Sequence, residues 1–474
     1  MTIQRQKPAI LANIDFQGAA NGWAIGASAG TGKTYTLEHL VLDRVLAGVA
    51  IDELLVVTFT RRATAEMKGR VRRMLEGVLD AWPEGRSVDG AAWEIGEEEI
   101  ERVRRALDRF DAASISTIHA FCQRVLSDHA FSSQTLFDAE LVDASELFTE
   151  CFYDVLRDRL AAGEPERSWL RWALEIYNDP DDLAGHLRTI FTRGARVVPA
   201  FEELGVERSP GSPTAEGEDY DKWQVCTACW HLFGGAVAER IDERKRHEGL
   251  MTYDDLLDGV HAHREEGLGA IAEERFEVVL VDEFQYTDPV QWEILRDVFL
   301  EGERDVVVIG DEKQAIYGFR GADVGTYRNV VGDGRLDGPH SLSRNYRSSD
   351  ELIEAYNELF EAGFFSGDRQ PDYPPVEPPR DGGVERALTG AIGSEPIEVM
   401  HLEVDRENKL TKAPAQEAYI ERTAERIDDL LADAQYRFDD VDTGRERRLQ
   451  PGDIYVLTRT NREADEVGEA LASR

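Results

Sequence analysis

The eight residues from Ala27 to Thr34, which read Ala-Ser-Ala-Gly-Thr-Gly-Lys-Thr, constrain the fold of this chain more than any other stretch. They follow a short apolar run and precede apolar residues at helical spacing, which predicts a strand, a tight loop and a helix start. Glycines let backbone N–H groups converge on phosphate oxygens, and the helix N-terminus adds positive partial charge. We therefore predict that a nucleoside triphosphate binds here, with Lys33 on its β- and γ-phosphates and Thr34 on Mg²⁺. The loop residues of this prediction are Ala27, Ser28, Ala29, Gly30, Thr31, Gly32, Lys33 and Thr34.

The rest of the chain alternates between β-branched apolar runs and amphipathic stretches, which predicts an α/β fold with a parallel sheet. The predicted strands are 23–25, 54–59, 114–118, 278–281, 306–309, 397–404 and 453–459. Thr60 and Thr252 have the positions of helix N-caps. Residues 122–250 have apolar side chains at three- and four-residue spacing and no strand pattern, which predicts an inserted helical domain. A Pro/Gly/Asp-rich linker at 366–383 precedes the start of a second α/β domain.

Length and charge bound the class of protein. A chain of 474 residues is too long for one ordinary core, so about two to four domains are expected. The formal net charge is −39, because 93 Asp and Glu outnumber 54 Lys and Arg. Such acidity opposes attraction to nucleic-acid phosphates, yet a surface adapted to high salt that keeps a local basic groove has the same composition. Composition alone leaves both interpretations open.

The sequence has neither a targeting signal nor a membrane-length apolar run, so we expect a cytoplasmic protein with reduced cysteines. No apolar run reaches the roughly 18 residues of a membrane span, and the segment Met1 to Ile10 has no secretory pattern. Cys226 and Cys229 have the C-x-x-C spacing of a zinc site, but no second Cys or His pair follows at matching spacing. We therefore favour two reduced thiols over a metal site.

Two carboxylates follow the predicted strand at 278–281, in the order Asp282-Glu283. Ligands of open α/β sheets bind at the carboxyl ends of strands, so this pair is expected beside the phosphate loop. Asp282 suits Mg²⁺ coordination, and Glu283 is then available to orient and deprotonate an attacking water. The alternative is an acidic pair that only faces solvent.

Polar and aromatic residues follow the strand at 306–309 and recur near residue 345. The amide of Gln314 can sense a γ-phosphate, and Tyr317, Phe319 and Arg320 are the side-chain types that stack on unpaired bases. Packing of these aromatics against the core is the structural alternative. In Asn345-Tyr346-Arg347, the arginine suits an arginine finger acting in cis, and the tyrosine suits stacking on adenine.

Hydroxyl, imidazole and aromatic side chains follow two other predicted strands. Such groups at strand ends can hold a nucleic-acid backbone, although a histidine after a strand is more often structural. The residues concerned are Thr58, Phe59, Thr60, His119 and Phe121.

In order and content, these blocks resemble the UvrD/Rep class of superfamily 1 DNA helicases, and within it the RecB-type and AddA-type proteins. The resemblance covers residues 17–474. The blocks most similar to the RecB type are the phosphate loop, Thr-Ile-His-Ala-Phe-Cys, Met-Thr-Tyr-Asp-Asp-Leu-Leu and Gly-Asp-Glu-Lys-Gln-Ala-Ile-Tyr-Gly-Phe-Arg-Gly-Ala-Asp. This family also commonly tolerates a small residue at Ala27, where the general motif has glycine.

The resemblance implies a RecA-like motor that hydrolyses ATP with Mg²⁺ and steps 3′ to 5′ along single-stranded DNA in double-strand-break repair. It implies that Gln314 couples the γ-phosphate to DNA, that Arg347 completes the charge clamp and that Gln17 reads the adenine edge. It also implies single-stranded and duplex-end DNA as substrates, and RecC/RecD-like or AddB-like subunits as partners. The implied domains are 1–121, a helical accessory insertion at 122–250, 251–345, and an incomplete second motor domain at 346–474.

Two departures from the family pattern stand out. Tyr286 occupies a position where the family usually has aspartate, for which we expect altered coupling or no effect, and no loss of hydrolysis. The chain also ends soon after residue 459, before the rest of the second motor domain, its second arginine finger or any nuclease, so weak hydrolysis by the isolated chain is expected. Two alternatives therefore stay open: an ATP-responsive DNA-binding or assembly module without unwinding activity, and an ATPase that acts on something other than nucleic acid.

Overall fold

The structure is a computed structural model, and its described residues form two compact units. The first unit comprises Met1–Ala24, Leu37–Ile309 and Ala315–Pro339, and the second comprises Ile25–Thr36, Gly310–Gln314 and His340–Arg474. The described residues are 8–16, 18, 20–82, 95–128, 139–162, 166–177, 179–192, 200–204, 206, 220–264, 269–316, 318, 323–361, 373–378, 388–389, 396–401, 412–433, 437–440 and 445–474.

Strands and helices are numbered here along the chain. The strands are β1 (Gly22–Ala27), β2 (Leu54–Thr58), β3 (Ser114–Thr117), β4 (Glu140–Leu141), β5 (Leu250–Met251), β6 (Val278–Val281), β7 (Asp305–Gly310), β8 (Asp337–Leu342), β9 (Leu388–Thr389), β10 (Arg437–Asp440) and β11 (Arg445–Arg448). The first helices are α1 (Lys33–Ala47), α2 (Arg61–Ala81), α3 (Glu97–Asp108), α4 (Ile118–Asp128), α5 (Ala144–Ala162), α6 (Glu166–Tyr177), α7 (Pro180–Thr192) and α8 (Lys222–Cys229). The remaining helices are α9 (Gly235–Glu248), α10 (Tyr253–His263), α11 (Gly269–Arg275), α12 (Pro289–Leu295), α13 (Val324–Gly332), α14 (Asp350–Glu361), α15 (Lys412–Ala432) and α16 (Asn461–Ala472).

A six-stranded sheet with the order β3-β2-β6-β7-β1-β8 forms the centre of the α/β part. Strand β2 is parallel to β3 and to β6, and β6 is parallel to β7. Every residue of β2 and β6 is buried, as expected for parallel strands that helices cover on both faces. The predicted α/β fold is therefore confirmed, and the continuous apolar runs of the sequence correspond to its central strands.

The helix starts next to this sheet follow from local capping. The Thr60 hydroxyl accepts a hydrogen bond from the Ala63 N–H, and the Thr252 side chain accepts from the Asp255 N–H. Both predicted N-caps are confirmed, and such caps typically contribute about 1 kcal/mol. Each cap fixes the residue that follows it, Arg61 or Tyr253, at the first position of a helix.

A separate, wholly helical core lies in the first unit between β4 and β5. Its largest fully buried side chains are Trp169, Tyr177, Phe148, Phe152 and Phe233. The short parallel pair of β4 and β5 places residues 140 and 250 next to each other, so the helical segment leaves and returns at one place. The boundaries of a helical insertion at 122–250 remain a prediction.

The second unit contains a small antiparallel sheet with the order β11-β10-β9, and α15 packs on α16. Part of the expected linker is anchored here, because the Asn357 side chain bonds the backbone N–H and C=O of Val376, at 3.1 and 2.9 Å. The expected strands at 397–404 and 453–459 are wrong where the structure describes them. Residues 397–401 form no strand, and 451–453 form a 3₁₀ turn that irregular backbone follows.

Candidate nucleotide and nucleic-acid site

The phosphate loop adopts the geometry that its glycines predict. Gly30 and Gly32 have φ angles of 78° and 92°, in the left-handed region that glycine enters without a steric penalty. Thr31 closes the turn, since its N–H and its hydroxyl both donate to the Ser28 carbonyl. Helix α1 then begins at Lys33, so the loop ends at a helix N-terminus, which favours anions.

The structure brings Lys33 and Gln314 together within the second unit. The Lys33 ammonium donates to Gln314 Oε1 at 3.2 Å. The Gln314 amide in turn donates to Asp311 Oδ2 at 2.7 Å, and Lys313 pairs with Asp311 Oδ1 at 2.8 Å. Because Asp311 is buried, it fixes the Gln314 side chain, and the lysine of the phosphate loop thereby contacts the segment that follows β7. Asp311 is not among the site residues predicted from the sequence, although its position directly after a buried strand is typical of such residues.

The turn at 345–348 also contacts the phosphate loop. Asn345 donates to the Ala29 carbonyl at 3.1 Å, and the Tyr346 N–H donates to the Gly30 carbonyl at 2.8 Å. Asn345 Oδ1 accepts from the N–H groups of Arg347 and Ser348, so one amide side chain shapes the turn and holds the loop. Tyr346 and Arg347 are exposed next to Gly30, which suits their expected contacts with adenine and phosphate. Asn345 itself was missed as a site residue, and its Asx-turn position was the available signal.

The carboxylate pair lies in the first unit, directly after β6. The Asp282 N–H donates to the Val57 carbonyl at 2.9 Å, which continues the pairing of β2 with β6 by one residue. Asp282 Oδ1 accepts the Glu283 N–H at 3.0 Å. Carboxylate oxygens are the ligands that Mg²⁺ prefers, so the donor type at Asp282 fits the expected ion.

Glu283 has a strained backbone and a fixed side chain. Its φ and ψ are 53° and 44°, a left-handed conformation that costs a non-glycine residue on the order of 1–3 kcal/mol and is frequent at active sites. Gln285, which is fully buried, donates from Nε2 to Glu283 Oε2 at 2.5 Å. The carboxylate is therefore oriented from inside the protein, as a general base requires.

The residues after β2 divide into structural and accessible ones. Thr58 is buried and its hydroxyl lies 2.6 Å from that of Thr64, so its side chain holds the start of α2 instead of a ligand. Thr60 is the N-cap of that helix. Phe59 is partly exposed, and its ring lies against Tyr286 with centroids 4.5 Å apart.

His119 and Phe121 have different environments on α4. His119 is partly exposed and its ring meets Tyr253 edge-on at 5.4 Å. Burial lowers the pKa of His119 while the charge of Asp254 opposes the shift, so the imidazole is neutral near pH 7 and offers a hydrogen bond, not a charge. Phe121 is only 4% exposed and packs on Phe276 and Phe299, which corrects the expected contact between its ring and DNA.

The structure adds Arg61 and Tyr253 to the candidate surface of the first unit. Arg61 Nη2 donates to the Tyr253 hydroxyl at 3.1 Å, and both side chains are exposed. Tyr253 also contacts His119, so one tyrosine links the starts of α2, α4 and α10. Each of the two is the first helical residue after a threonine cap, and this position was the sequence signal that could have identified them.

Several expected site residues lie outside the described part of the chain, namely Gln17, Tyr317, Phe319 and Arg320. The cysteine pair is described: Cys226 and Cys229 lie on α8, and Cys229 is buried with its Sγ 3.9 Å from the Trp169 carbonyl. Within the described ranges, no group of three or more His, Cys, Asp or Glu is arranged to hold a metal ion. No helix in the same ranges has the length and apolar content that a membrane crossing requires.

Comparison with known proteins gives one family and a consistent set of relatives. The family model described as UvrD/REP helicase N-terminal domain matches residues 15–192 and 225–333, which is more than half of the chain. The RecBCD enzyme subunit RecB of Mycobacterium tuberculosis (strain CDC 1551 / Oshkosh) is 34% identical over 351 residues, covering 69% of this chain and 28% of the relative. RecBCD enzyme subunit RecB of Mycolicibacterium smegmatis is 31% identical, covering 94% of this chain and 38% of the relative. The same subunit of Escherichia coli K12 is 27% identical, with coverages of 94% and 47%.

The chain spans less than half the length of these relatives. The matched region nevertheless includes the phosphate loop, the carboxylate pair and Gln314, whose geometry is described above. The chain therefore belongs to the UvrD/REP helicase family, whose N-terminal domain it contains.

Proposed function

We propose that this chain is the ATP-hydrolysing motor portion of a RecB-type DNA helicase. In this proposal the energy of ATP drives movement from 3′ to 5′ along single-stranded DNA during double-strand-break repair and recombination. Membership of the helicase family and the RecB name of the relatives support the class. The polarity and the RecC/RecD-like or AddB-like partners rest on the resemblance.

The phosphate loop binds the triphosphate in this proposal. Gly30, Gly32, Lys33 and Thr34 hold the phosphates. The Lys33 ammonium neutralises the β- and γ-oxygens, and Thr34 supplies a hydroxyl to Mg²⁺. Tyr346 stacks on adenine, and Gln17 reads its edge. When bound, the magnesium ion neutralises phosphate charge, and Thr34 and Asp282 provide the oxygen ligands that it prefers.

Glu283 is the proposed general base, and Gln314 and Arg347 are the proposed γ-phosphate contacts. Glu283 accepts a proton from the attacking water as this water approaches the γ-phosphorus. Arg347 offsets the charge that develops on the transferred group. The Lys33 ammonium donates to Gln314 Oε1, so a γ-phosphate bound at Lys33 also lies within reach of the Gln314 side chain and can be sensed there.

Single-stranded DNA is the proposed track. Phe59, Tyr317, Phe319 and Arg320 supply planes for stacking on bases, and the side chains of Thr60 and His119 offer hydrogen bonds to the backbone. Arg61 and Tyr253 extend this surface within the first unit.

The single observation that carries the proposal is the Lys33–Gln314 hydrogen bond. A side chain that follows the neighbouring strand and contacts the P-loop lysine can report the γ-phosphate, as the coupling of hydrolysis to movement requires. Strand β7, which leads to Gln314, is next to β1, which leads to the phosphate loop.

We expect single-stranded DNA to stimulate ATP turnover by the chain. Lys33→Ala should abolish ATP binding, because the charge opposite the phosphates is lost.

Glu283→Gln should keep ATP binding and lower turnover by about 10²- to 10⁴-fold, the usual contribution of a general base. Fluorescence titration measures the ATP affinity of each variant. Phosphate release with and without oligo-dT measures its ATP turnover. Lys222→Ala and Glu239→Gln, exposed changes in the helical core, are matched controls.

The outcomes separate the remaining alternatives. ATP and DNA binding without turnover in the unaltered chain would favour the ATP-responsive binding module. Turnover that no nucleic acid alters, combined with no DNA binding at low salt, would instead favour an ATPase with another target. Equal ATP affinity in Lys33→Ala contradicts the assignment of the phosphate loop.

A further inference from the structure

We infer that Tyr286 is a positioning residue that links single-stranded DNA at Phe59 to the carboxylate of Glu283. The inference rests on the proposed function, and it adds a coupling role to a residue at which this chain departs from its family. Three features of the first unit carry it: a ring contact, a short rigid turn and the pairing of two strands.

The ring contact joins the ends of two adjacent strands. Phe59 follows β2, Tyr286 follows β6 by a few residues, and these strands are parallel with Val57 opposite Val281. The two ring centroids are 4.5 Å apart at an interplanar angle of 40°, within the range of favourable aromatic pairs. Both side chains are partly exposed, so the pair presents aromatic surface beyond the carboxyl ends of β2 and β6. Aromatic surface of this kind is where an unpaired base stacks.

The turn joins Tyr286 to the proposed general base. Phe284–Tyr286 is one 3₁₀ turn, and the Tyr286 N–H donates to the Glu283 carbonyl at 3.0 Å. The middle of the turn is immobilised, because Phe284 and Gln285 are fully buried and Phe284 contacts Trp292 and Tyr327. Gln285 also holds the Glu283 carboxylate. Tyr286 is therefore joined to Glu283 by one short, rigid turn, so the position of the Tyr286 ring bears on the orientation of the Glu283 carboxylate.

The strained backbone conformation of Glu283 depends on the turn at Phe284–Tyr286. A left-handed glutamate persists only when its surroundings impose it, and the N–H of Tyr286 is one of the constraints that do so. A base stacked on Phe59 restricts the adjacent Tyr286 ring and thereby the orientation of Glu283. Aspartate, which the resemblance implies at this position, has no ring to contact Phe59, so the ring contact is a feature of Tyr286 in this chain.

The test compares Tyr286→Ala with Tyr286→Phe in the intact 474-residue chain. Phosphate release is measured across ATP concentrations with and without oligo-dT, and oligo-dT affinity is measured by anisotropy. We expect Tyr286→Ala to lower the DNA-stimulated kcat by about fivefold, which corresponds to the lower end of one base–aromatic stack, and to lower the unstimulated kcat by less. The KM for ATP should stay the same. Tyr286→Phe keeps the ring and should retain the stimulation ratio.

A matched control is Tyr153→Ala, which removes another partly exposed tyrosine with a ring contact, in the helical core. It should leave the unstimulated and the stimulated kcat unchanged. An unchanged stimulation ratio in Tyr286→Ala overturns the inference, as does an equal loss in Tyr286→Phe, since the ring would then not be the determinant. If the unaltered chain neither binds oligo-dT nor responds to it, the proposed function fails and the coupling role falls with it. Normal stimulation in the unaltered chain and in Tyr286→Ala refutes the coupling alone.

Discussion

Gly30 illustrates how a single backbone position serves both the phosphate loop and its neighbour. Its φ of 78° requires a residue without a Cβ penalty, and the carbonyl of the same residue accepts the Tyr346 N–H. A Cβ at this position would lie 2.5 Å from Asn345 Oδ1 and 2.8 Å from Arg347 Cβ. Asn345 has little room to yield, because its Oδ1 accepts two backbone hydrogen bonds. Gly30 is therefore required for conformation and also for close approach.

We predict that Gly30→Ala destabilises the nucleotide-free chain more than Gly32→Ala does. Gly32 has a similar φ of 92°, but the atom nearest to an added Cβ is 3.8 Å away, so only backbone strain of about 1–2 kcal/mol applies there. Gly30→Ala adds the clash and the disturbed Asn345 hydrogen bonds, for a total of about 2–4 kcal/mol. Urea unfolding without nucleotide measures the difference. Equal losses in the two variants would mean that the Asn345 turn moves away without cost.

At the scale of elements, strands that are buried on both faces were predictable and isolated apolar runs were not. A parallel strand that helices cover on both faces is apolar along nearly its whole length. Strands β2, β6 and β7 can therefore be recognised in the sequence as continuous apolar runs rich in β-branched residues. The segments near 399 and 455 contain β-branched and other apolar residues but form no strand in the described residues. Val399 is 80% exposed and Leu457 is 95% exposed. A sequence pattern reports which residues suit a strand, whereas a strand exists only when a second backbone pairs with it.

The sequence predicts a site residue correctly where a motif directly follows a recognisable strand. The prediction is wrong where the boundary between a strand and a helix is misplaced. The loop residues and Glu283 follow directly from strand ends. The sequence predicts a DNA contact for Phe121 because this residue follows the predicted strand at 114–118. In the structure α4 begins at Ile118, which places Phe121, Cys122 and Val125 on the same face as Ile118, toward the core. The contacts of Asn345 and Arg61 join residues far apart in sequence, and no local pattern reports such pairs.

The entry to β7 provides a pH-dependent test of the sheet. Burial raises the pKa of Asp305 to about 6, with a further rise from Glu277 and an opposing effect of Arg44. The unfolded value is about 3.9, so the folded state favours the protonated form. The stability that protonation provides is complete below the unfolded pKa and is lost as the pH rises through about 6.

We therefore predict that wild type loses stability relative to Asp305→Asn between about pH 5 and pH 7.5, by roughly 1 kcal/mol. Asparagine stays neutral throughout, so the other titrating groups cancel in the comparison. Urea unfolding of both proteins at the two pH values measures the difference. A difference that does not change with pH would show that water or Arg44 compensates the Asp305 charge in the folded state.

At the scale of the whole molecule, the formal charge of −39 is unevenly distributed. The first part of α2, residues 61–73, contains six basic residues and one acidic residue. This stretch follows Phe59 and begins with Arg61, which contacts Tyr253. A locally basic helix within an acidic protein fits the interpretation of a local basic groove on an otherwise acidic surface. Counterion release near α2 then competes with electrostatic repulsion between DNA and the rest of the molecule.

The salt dependence of DNA binding tests this balance. We predict that oligo-dT affinity falls as salt rises from about 50 to 200 mM, because contacts to phosphates release counterions. Arg62→Gln, at an exposed position in the first turn of α2, should make the log–log slope shallower by about 0.7, the value of one phosphate contact on a single strand. Arg157→Gln changes the net charge equally but lies on α5 in the helical core, so its slope should equal that of wild type. Affinity that increases with salt would mean that the overall negative charge dominates, and equal slopes in all three proteins would exclude α2 as the basic surface.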